Sequence, residues 1–234
     1  QDRLRKVEFK SQAYQKTLTR YAWGDASIYE LALSLKKGAY LCHGTAVFLH
    51  GLTDIIPKQI YVNAEQSAKP APSGRLTQSA LDRAFANKQR QSNLTYEYDG
   101  YGITMISGKN TGRLGVGPLS GPAGESLDVT NIERTLIDIT VRPSYAGGVY
   151  QVLEAYRAAK PQVSVNRLLA TLTKLDYVYP YQQAIGFFMD RAGYDSSRLQ
   201  LAHERVTEFD FYLTYGIENR EYDPKWKLFH PQGL

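Results

Sequence analysis

Two of the four histidines, His43 and His50, stand seven residues apart in the stretch HGTAVFLHGLTD. The only cysteine, Cys42, precedes the first, and Asp54 closely follows the second. Histidine, cysteine and aspartate are the residue types of zinc sites and of activated nucleophiles. The spacing argues against zinc. A helical two-histidine site sets its ligands at i and i+4 with a glutamate between them, whereas i and i+7 lie two turns apart. No second cysteine completes a ligand pair, and His203 and His230 have no motif around them. A thiolate–imidazolium pair is ordinarily distant in sequence and adjacent only in the fold, which Cys42–His43 is not. The reading left is structural: His43 and His50 flank a short apolar helix that starts near residue 44 and stops at Gly51.

Other stretches carry weaker chemistry. GKNTG at 108–112 lacks the spacing and the final Lys-Ser/Thr of a phosphate loop and reads as a turn. VEFK, with Glu8, matches the loose Glu-x-Lys end of metal-dependent nucleases but has no upstream carboxylate beside it. Asp54 and Asp138 have no recognisable mate as catalytic acids. Thr130 with Glu133 reads as a capping box, and Arg134 with Asp138 as an i,i+4 ion pair. No catalytic residue, metal or cofactor is expected, and a metal-dependent nuclease or nucleotide-processing enzyme is the alternative.

Charge points to a polyanion. The 234 residues carry a formal net charge of +5, and the first twenty hold Arg3, Arg5, Lys6, Lys10, Lys16 and Arg20 against Asp2 and Glu8. These six cations, interleaved with Tyr14, Tyr21 and Trp23, are the candidate DNA contacts. A second concentration comprises Arg75, Arg83, Lys88, Arg90, Lys109 and Arg113 against Asp82, Glu97 and Asp99, and for either patch the plain alternative is a solvated face. No apolar run reaches the roughly 20 residues of a membrane span, and the start of the chain lacks a signal-peptide core. With a single cysteine, the expectation is a cytoplasmic protein.

The elements that must position these residues follow from periodicity. LRKVEFK and KTLTRYAW alternate as two strands of a basic hairpin over residues 1–25. Ser27 with Glu30 caps a helix carrying Ile28, Leu31, Ala32 and Leu35, with Gly38 as its stop. KQIYVNAE predicts a strand and LTQSALDRAFANK a helix. LTYEYDGYGITMI is a hairpin turning at Asp99-Gly100. A short LGV strand and the LDV strand precede the helix of NIERTLIDIT. Residues 145–193 form a helical block, and TEFDFYLTYG a late strand. The order predicts an α+β fold, a mixed sheet with packed helices.

The run SIYELALSLKKGAYLCHGTAVFLHGLTDIIPKQIYV resembles the signature of the AbiEi family, antitoxins and transcriptional repressors of type IV toxin–antitoxin systems. VTNIERTLIDI resembles that family's second motif, at the expected distance, and the helices ending in MDRAGY resemble its closing helices. The resemblance spans about residues 20–195. It assigns His43, Gly44, Ala46, His50, Gly51 and Leu52 to the first motif, and Glu133, Arg134, Thr135 and Asp138 to the second. Cys42 stands where the family usually has serine. The resemblance implies a winged helix that binds operator DNA, followed by an antitoxin domain, here residues 26–234. The hairpin of residues 1–25 would be the wing, its reading helix either lying upstream of Gln1 or absent. The implied counterpart is a nucleotidyltransferase toxin, opposed without a stable complex, in a phage-defence setting.

Overall fold

The computed structural model describes residues 3–14, 16–70 and 75–234. Gln1, Asp2 and Gln15 of the expected hairpin lie outside the described residues. Strands β1 (Leu4–Ser11) and β2 (Thr17–Trp23) pair antiparallel, with Leu4 opposite Trp23 and Lys10 opposite Thr17. Alternation turns Val7, Phe9 and Ala22 inward, where they pack with Tyr29, Leu31 and Ala32. The expected capping box starts helix α1 (Ile28–Leu33): Glu30 N–H donates to Ser27 Oγ at 3.2 Å, and Ser27 N–H donates to the Glu30 carboxylate at 2.8 Å. The helix stops well before Gly38. Arg20 reaches over from β2 and donates to the carbonyls of Ser34 and Leu35, which satisfies orphan acceptors where the helix ends.

Strand β3 (Tyr40–Leu41) leads into α2 (His43–Leu49), then β4 (Gln59–Asn63) and α3 (Gln78–Ala86). Strands β5 (Thr95–Tyr98) and β6 (Tyr101–Ile106) form the expected hairpin. Asp99 and Gly100 take φ +48° and +75° at its turn, the left-handed pair that suits strand twist. Strands β7 (Val116–Ser120) and β8 (Ser126–Thr130) complete an eight-stranded mixed sheet, ordered β2-β1-β5-β6-β4-β3-β8-β7. Its β4–β6 and β3–β8 pairs are parallel and the others antiparallel. The hairpin β1–β2 therefore shares a sheet and a core with elements beyond residue 25.

Helices α4 (Ile132–Val141), α5 (Val149–Ala159), α6 (Val165–Leu175), α7 (Tyr181–Arg191) and α8 (Ser196–His203) form the block after the sheet. Their apolar faces build a second core around Leu136, Tyr156, Ile185 and Phe188. Helix α8 has no counterpart in the sequence pattern, because SSRLQLAH has little apolar rhythm and buries only Ala202 fully. The expected late strand shortens to β9 (Phe211–Tyr212), in a small sheet with β10 (Arg220–Asp223) and β11 (Leu228–Pro231). Trp226, fully buried, locks this sheet onto α7 and donates from Nε1 to Asp190 at 2.9 Å. The fold is α+β with a C-terminal helical block. No described helix is long and apolar enough to cross a membrane.

Candidate functional site

The first motif is a corner. After extended Cys42, His43 adopts φ +50° and the chain enters α2 at once. A non-glycine residue in this left-handed region is strained by about 1 kcal/mol, so the surroundings must hold it. Tyr145, in a 3₁₀ turn over Pro143–Ala146, stands edge-on to the imidazole with ring centroids 5.3 Å apart. Gly44 has no room for a side chain, since a Cβ there would lie 2.8 Å from the Tyr145 carbonyl oxygen. His43 Nδ1 sits 3.1 Å from Cys42 Sγ. Burial, reinforced by Arg142 and Arg134, lowers the His43 pKa to about 3, so the imidazole is neutral near pH 7. Burial raises the Cys42 thiol well above its ordinary value, which keeps it from acting as a thiolate.

His50 is separate from this corner. Its Nε2 lies 2.6 Å from the Thr130 carbonyl, so Nε2 carries the proton and ties the end of α2 to β8. Gly51 follows at φ +65° with nothing near its absent Cβ. The two histidines thus flank the helix and hold different joints.

The second motif divides in the same way. Asn131, rather than Thr130, caps α4 by accepting from Arg134 N–H at 2.8 Å. The expected Thr130–Glu133 capping box is absent. Thr130 faces Thr135, Oγ1 to Oγ1 at 2.8 Å, and Glu133 leaves its own helix. The Glu133 carboxylate, 1 % exposed, accepts from Ser164 N–H at 3.1 Å and from the Arg167 side chain at 2.7 Å, so it braces the start of α6, whose N-cap Ser164 itself accepts from Arg167 N–H.

Arg134 and Asp138 form the expected i,i+4 pair, Nε to Oδ1 at 2.8 Å, but inside the protein. Arg134 also donates to the Leu114 carbonyl at 2.8 Å, binding the turn before β7 to α4. Burial raises the Asp138 pKa above its ordinary value against the pull of Arg134.

His43, Arg134 and Asp138 line one cleft of about 1000 Å³ between the sheet and the helical block. Asn63 and Ile106 of the sheet, Lys109 of the following loop, and Arg142 and Tyr177 of the helical side also border it. A polar chain runs beneath it. Gly108 N–H donates to Asn63 at 2.9 Å, Asn63 to Tyr40 Oη at 2.6 Å, and Tyr40 to Glu65 at 3.1 Å. Glu65 further accepts from Thr111 N–H at 3.0 Å and from its hydroxyl, which holds the GKNTG turn in place. Lys109 closes the far end by donating to the carbonyls of Leu175 and Asp176 at 2.9 and 2.6 Å.

Composition leaves Lys109, Arg90 and Arg142 unassigned to any site. Arg90 and Lys109 belong to the second basic concentration, a signal that points this way. Arg142, Tyr145 and Tyr177 have none, because only the tertiary fold brings them to the cleft.

The candidate DNA contacts divide by parity along the hairpin. Lys6 and Lys10 share the outer face with Leu4, Tyr21 and Trp23, all exposed. Lys6 pairs there with Glu8. Arg5 and Arg20 lie on the parity of Val7, and Arg20 is engaged by the carbonyls of Thr19, Ser34 and Leu35. Arg3 and Lys16 are exposed near the ends of the two strands. Glu8 thus faces Lys6, and among the described residues no three His, Cys, Asp or Glu side chains gather as metal ligands.

No family model matches the sequence, and no curated protein matches it. Among solved structures, the RV2827C protein from Mycobacterium tuberculosis is similar at 18% identity and a TM-score of 0.56, over 91% of this chain and 72% of its own. At that identity the likeness is one of fold, and it is the α+β fold described above.

Proposed function

We propose that the chain is a non-enzymatic regulator of the AbiEi type, an antitoxin that represses transcription by binding operator DNA. The observation that carries the reading is the outer face of the β1–β2 hairpin. Lys6, Lys10, Tyr21 and Trp23 stand in solvent there, while Val7 and Phe9 anchor the opposite face in the core. A basic, aromatic ribbon on a rigid base suits phosphate backbone contacts, which supply affinity and register without base readout. Support also comes from the convergence of His43 with Arg134 and Asp138, two motifs about ninety residues apart, on one cleft. In this reading the counterpart is a nucleotidyltransferase toxin opposed without a stable complex. The setting is cytoplasmic, in keeping with a single buried, free Cys42.

The test is binding of the chain to its own promoter fragment. Reversing Arg5, Lys6 and Lys10 to glutamate is expected to weaken binding tenfold or more at fixed salt. Undiminished binding by that variant would sink the role given to the hairpin.

A further inference from the structure

The cleft beneath the helical block carries more positive charge than its own ion pairs consume. Lys69, Arg90, Lys109, Arg134 and Arg142 line it, against Asp138 and Asp176. Asp138 is bound to Arg134, and Asp176 stands 3.9 Å from Lys109. Arg90, Arg142 and Lys69 have no carboxylate partner among the described residues. We propose that this cleft binds a phosphorylated small molecule, its phosphoryl group held by Arg142, Arg90 and Lys109.

Three observations carry the proposal. Size is the first: about 1000 Å³ is at the upper end of clefts that take small ligands. The second is that two of the lining cations are anchored in place, Arg142 beside Tyr145 and Lys109 beside Tyr177. Arg142 Nη1 donates to the Arg90 carbonyl at 2.9 Å, and its guanidinium centre lies 5.8 Å from the Tyr145 ring, which itself packs on His43. Lys109 Nζ lies 5.9 Å from the Tyr177 ring and donates to two carbonyls, with the exposed Asp176 carboxylate 3.9 Å away. The third is His43, kept in a strained left-handed conformation on the wall of this cleft rather than elsewhere. Strain of that kind persists where the surroundings over-determine a residue, commonly at ligand sites.

The ligand chemistry follows from the charge. A cleft of low-dielectric walls lined by one sign concentrates its field on the opposite sign. Two guanidiniums and an ammonium match a dianion, and guanidinium forks meet phosphoryl oxygens in bidentate fashion. Lys6 and Lys10 of the hairpin do not line this cleft, so the site is independent of the proposed DNA face.

Isothermal titration of the full chain with inorganic phosphate, a nucleoside triphosphate and the phosphate-free nucleoside tests it. Binding of a phosphate-bearing probe but not of the nucleoside is expected. Tighter binding of the triphosphate identifies a nucleotide as the source, and equal binding identifies free phosphate. Arg142→Gln should weaken binding tenfold or more. Arg90→Gln should weaken it as well, and its side chain makes no hydrogen bond or ion pair among the described residues, so folding is spared. Lys6→Glu/Lys10→Glu should leave phosphate binding unchanged even where promoter binding fails, which keeps the two readings apart. No binding of either phosphate probe at millimolar concentration, equal binding of the nucleoside, or wild-type affinity in Arg90→Gln overturns the site.

Discussion

His43 shows how a residue that looks reactive is made structural. Its ordinary pKa near 6.5 falls to about 3 in the fold, because burial and two guanidiniums oppose its charge. Between those values the unfolded chain binds a proton that the folded chain refuses, so stability drops as pH falls through that window. The slope is about 1.4 kcal/mol per pH unit from this residue. Asparagine tolerates the left-handed backbone, so His43→Asn keeps the corner while removing the titration. Urea unfolding from pH 7.5 to 4.5 should give a shallower decline for the variant, and parallel curves would refute the assignment. Arg134 and Asp138 make a different residue-scale case. Arg134→Met leaves a carboxylate buried without its partner and should cost about 3–5 kcal/mol. The raised carboxyl pKa of Asp138 then makes the loss smaller at low pH, where protonation removes the charge. Arg134→Met/Asp138→Leu should recover much of the stability, and a double variant as unstable as the single would contradict this. The i,i+4 spacing makes this pair readable in sequence. Its burial is not, since nothing in ERTLID says that both faces of α4 are covered.

Elements are readable where a local rule and the tertiary fold agree. The Ser27 capping box and the Asp99-Gly100 turn depend on neighbours within a few residues, and both stand as expected. Glu133 shows the opposite: its spacing from Thr130 fits a local cap, yet Asn131 takes that role and Glu133 serves the N-terminus of α6, thirty-one residues on. A helix end can be braced by any buried acceptor that tertiary packing brings there, and sequence spacing cannot see it. Glu133→Ala strips that acceptor from Ser164 and Arg167, and should lower stability by about 1.5–3 kcal/mol. Thermal unfolding checks it, together with faster amide exchange at the start of α6; an unchanged midpoint would mean that α6 needs no such brace. Gly44→Ala tests another element joint. Its Cβ would meet the Tyr145 carbonyl at 2.8 Å, so α2 must shift against the 3₁₀ turn at a cost of about 1–3 kcal/mol. The same joint bears His43, so the two neighbours are held by one contact with the 3₁₀ turn.

At the scale of the whole molecule, one cleft lies between the sheet and the helical block, and the outer hairpin face belongs to the same sheet as the cleft wall. Strand pairing explains the link: Lys10 lies opposite Glu97, Glu97 opposite Gly102, and Gly102 opposite Gln59 on β4, so these positions share a face with Asn63. The α+β class follows from the order of elements, but the joining of the hairpin to β5 is a contact between residues far apart in sequence, such as Lys10 and Glu97, beyond any local pattern. That joining decides what the hairpin's charges can do, because a strand fixed in a sheet presents only alternate residues on each face. Glu8 occupies the outer face beside Lys6 and offsets its charge. If the face meets DNA phosphates, Glu8→Gln frees Lys6 and removes a repelling carboxylate. Promoter affinity should rise several-fold at low salt, and the slope of log K against log salt should steepen by up to about 0.9, the increment for one added phosphate contact. Anisotropy titrations at several salt concentrations measure both quantities. A steeper slope with higher affinity supports contact through this face; equal affinity and equal slope place the DNA contacts on other residues.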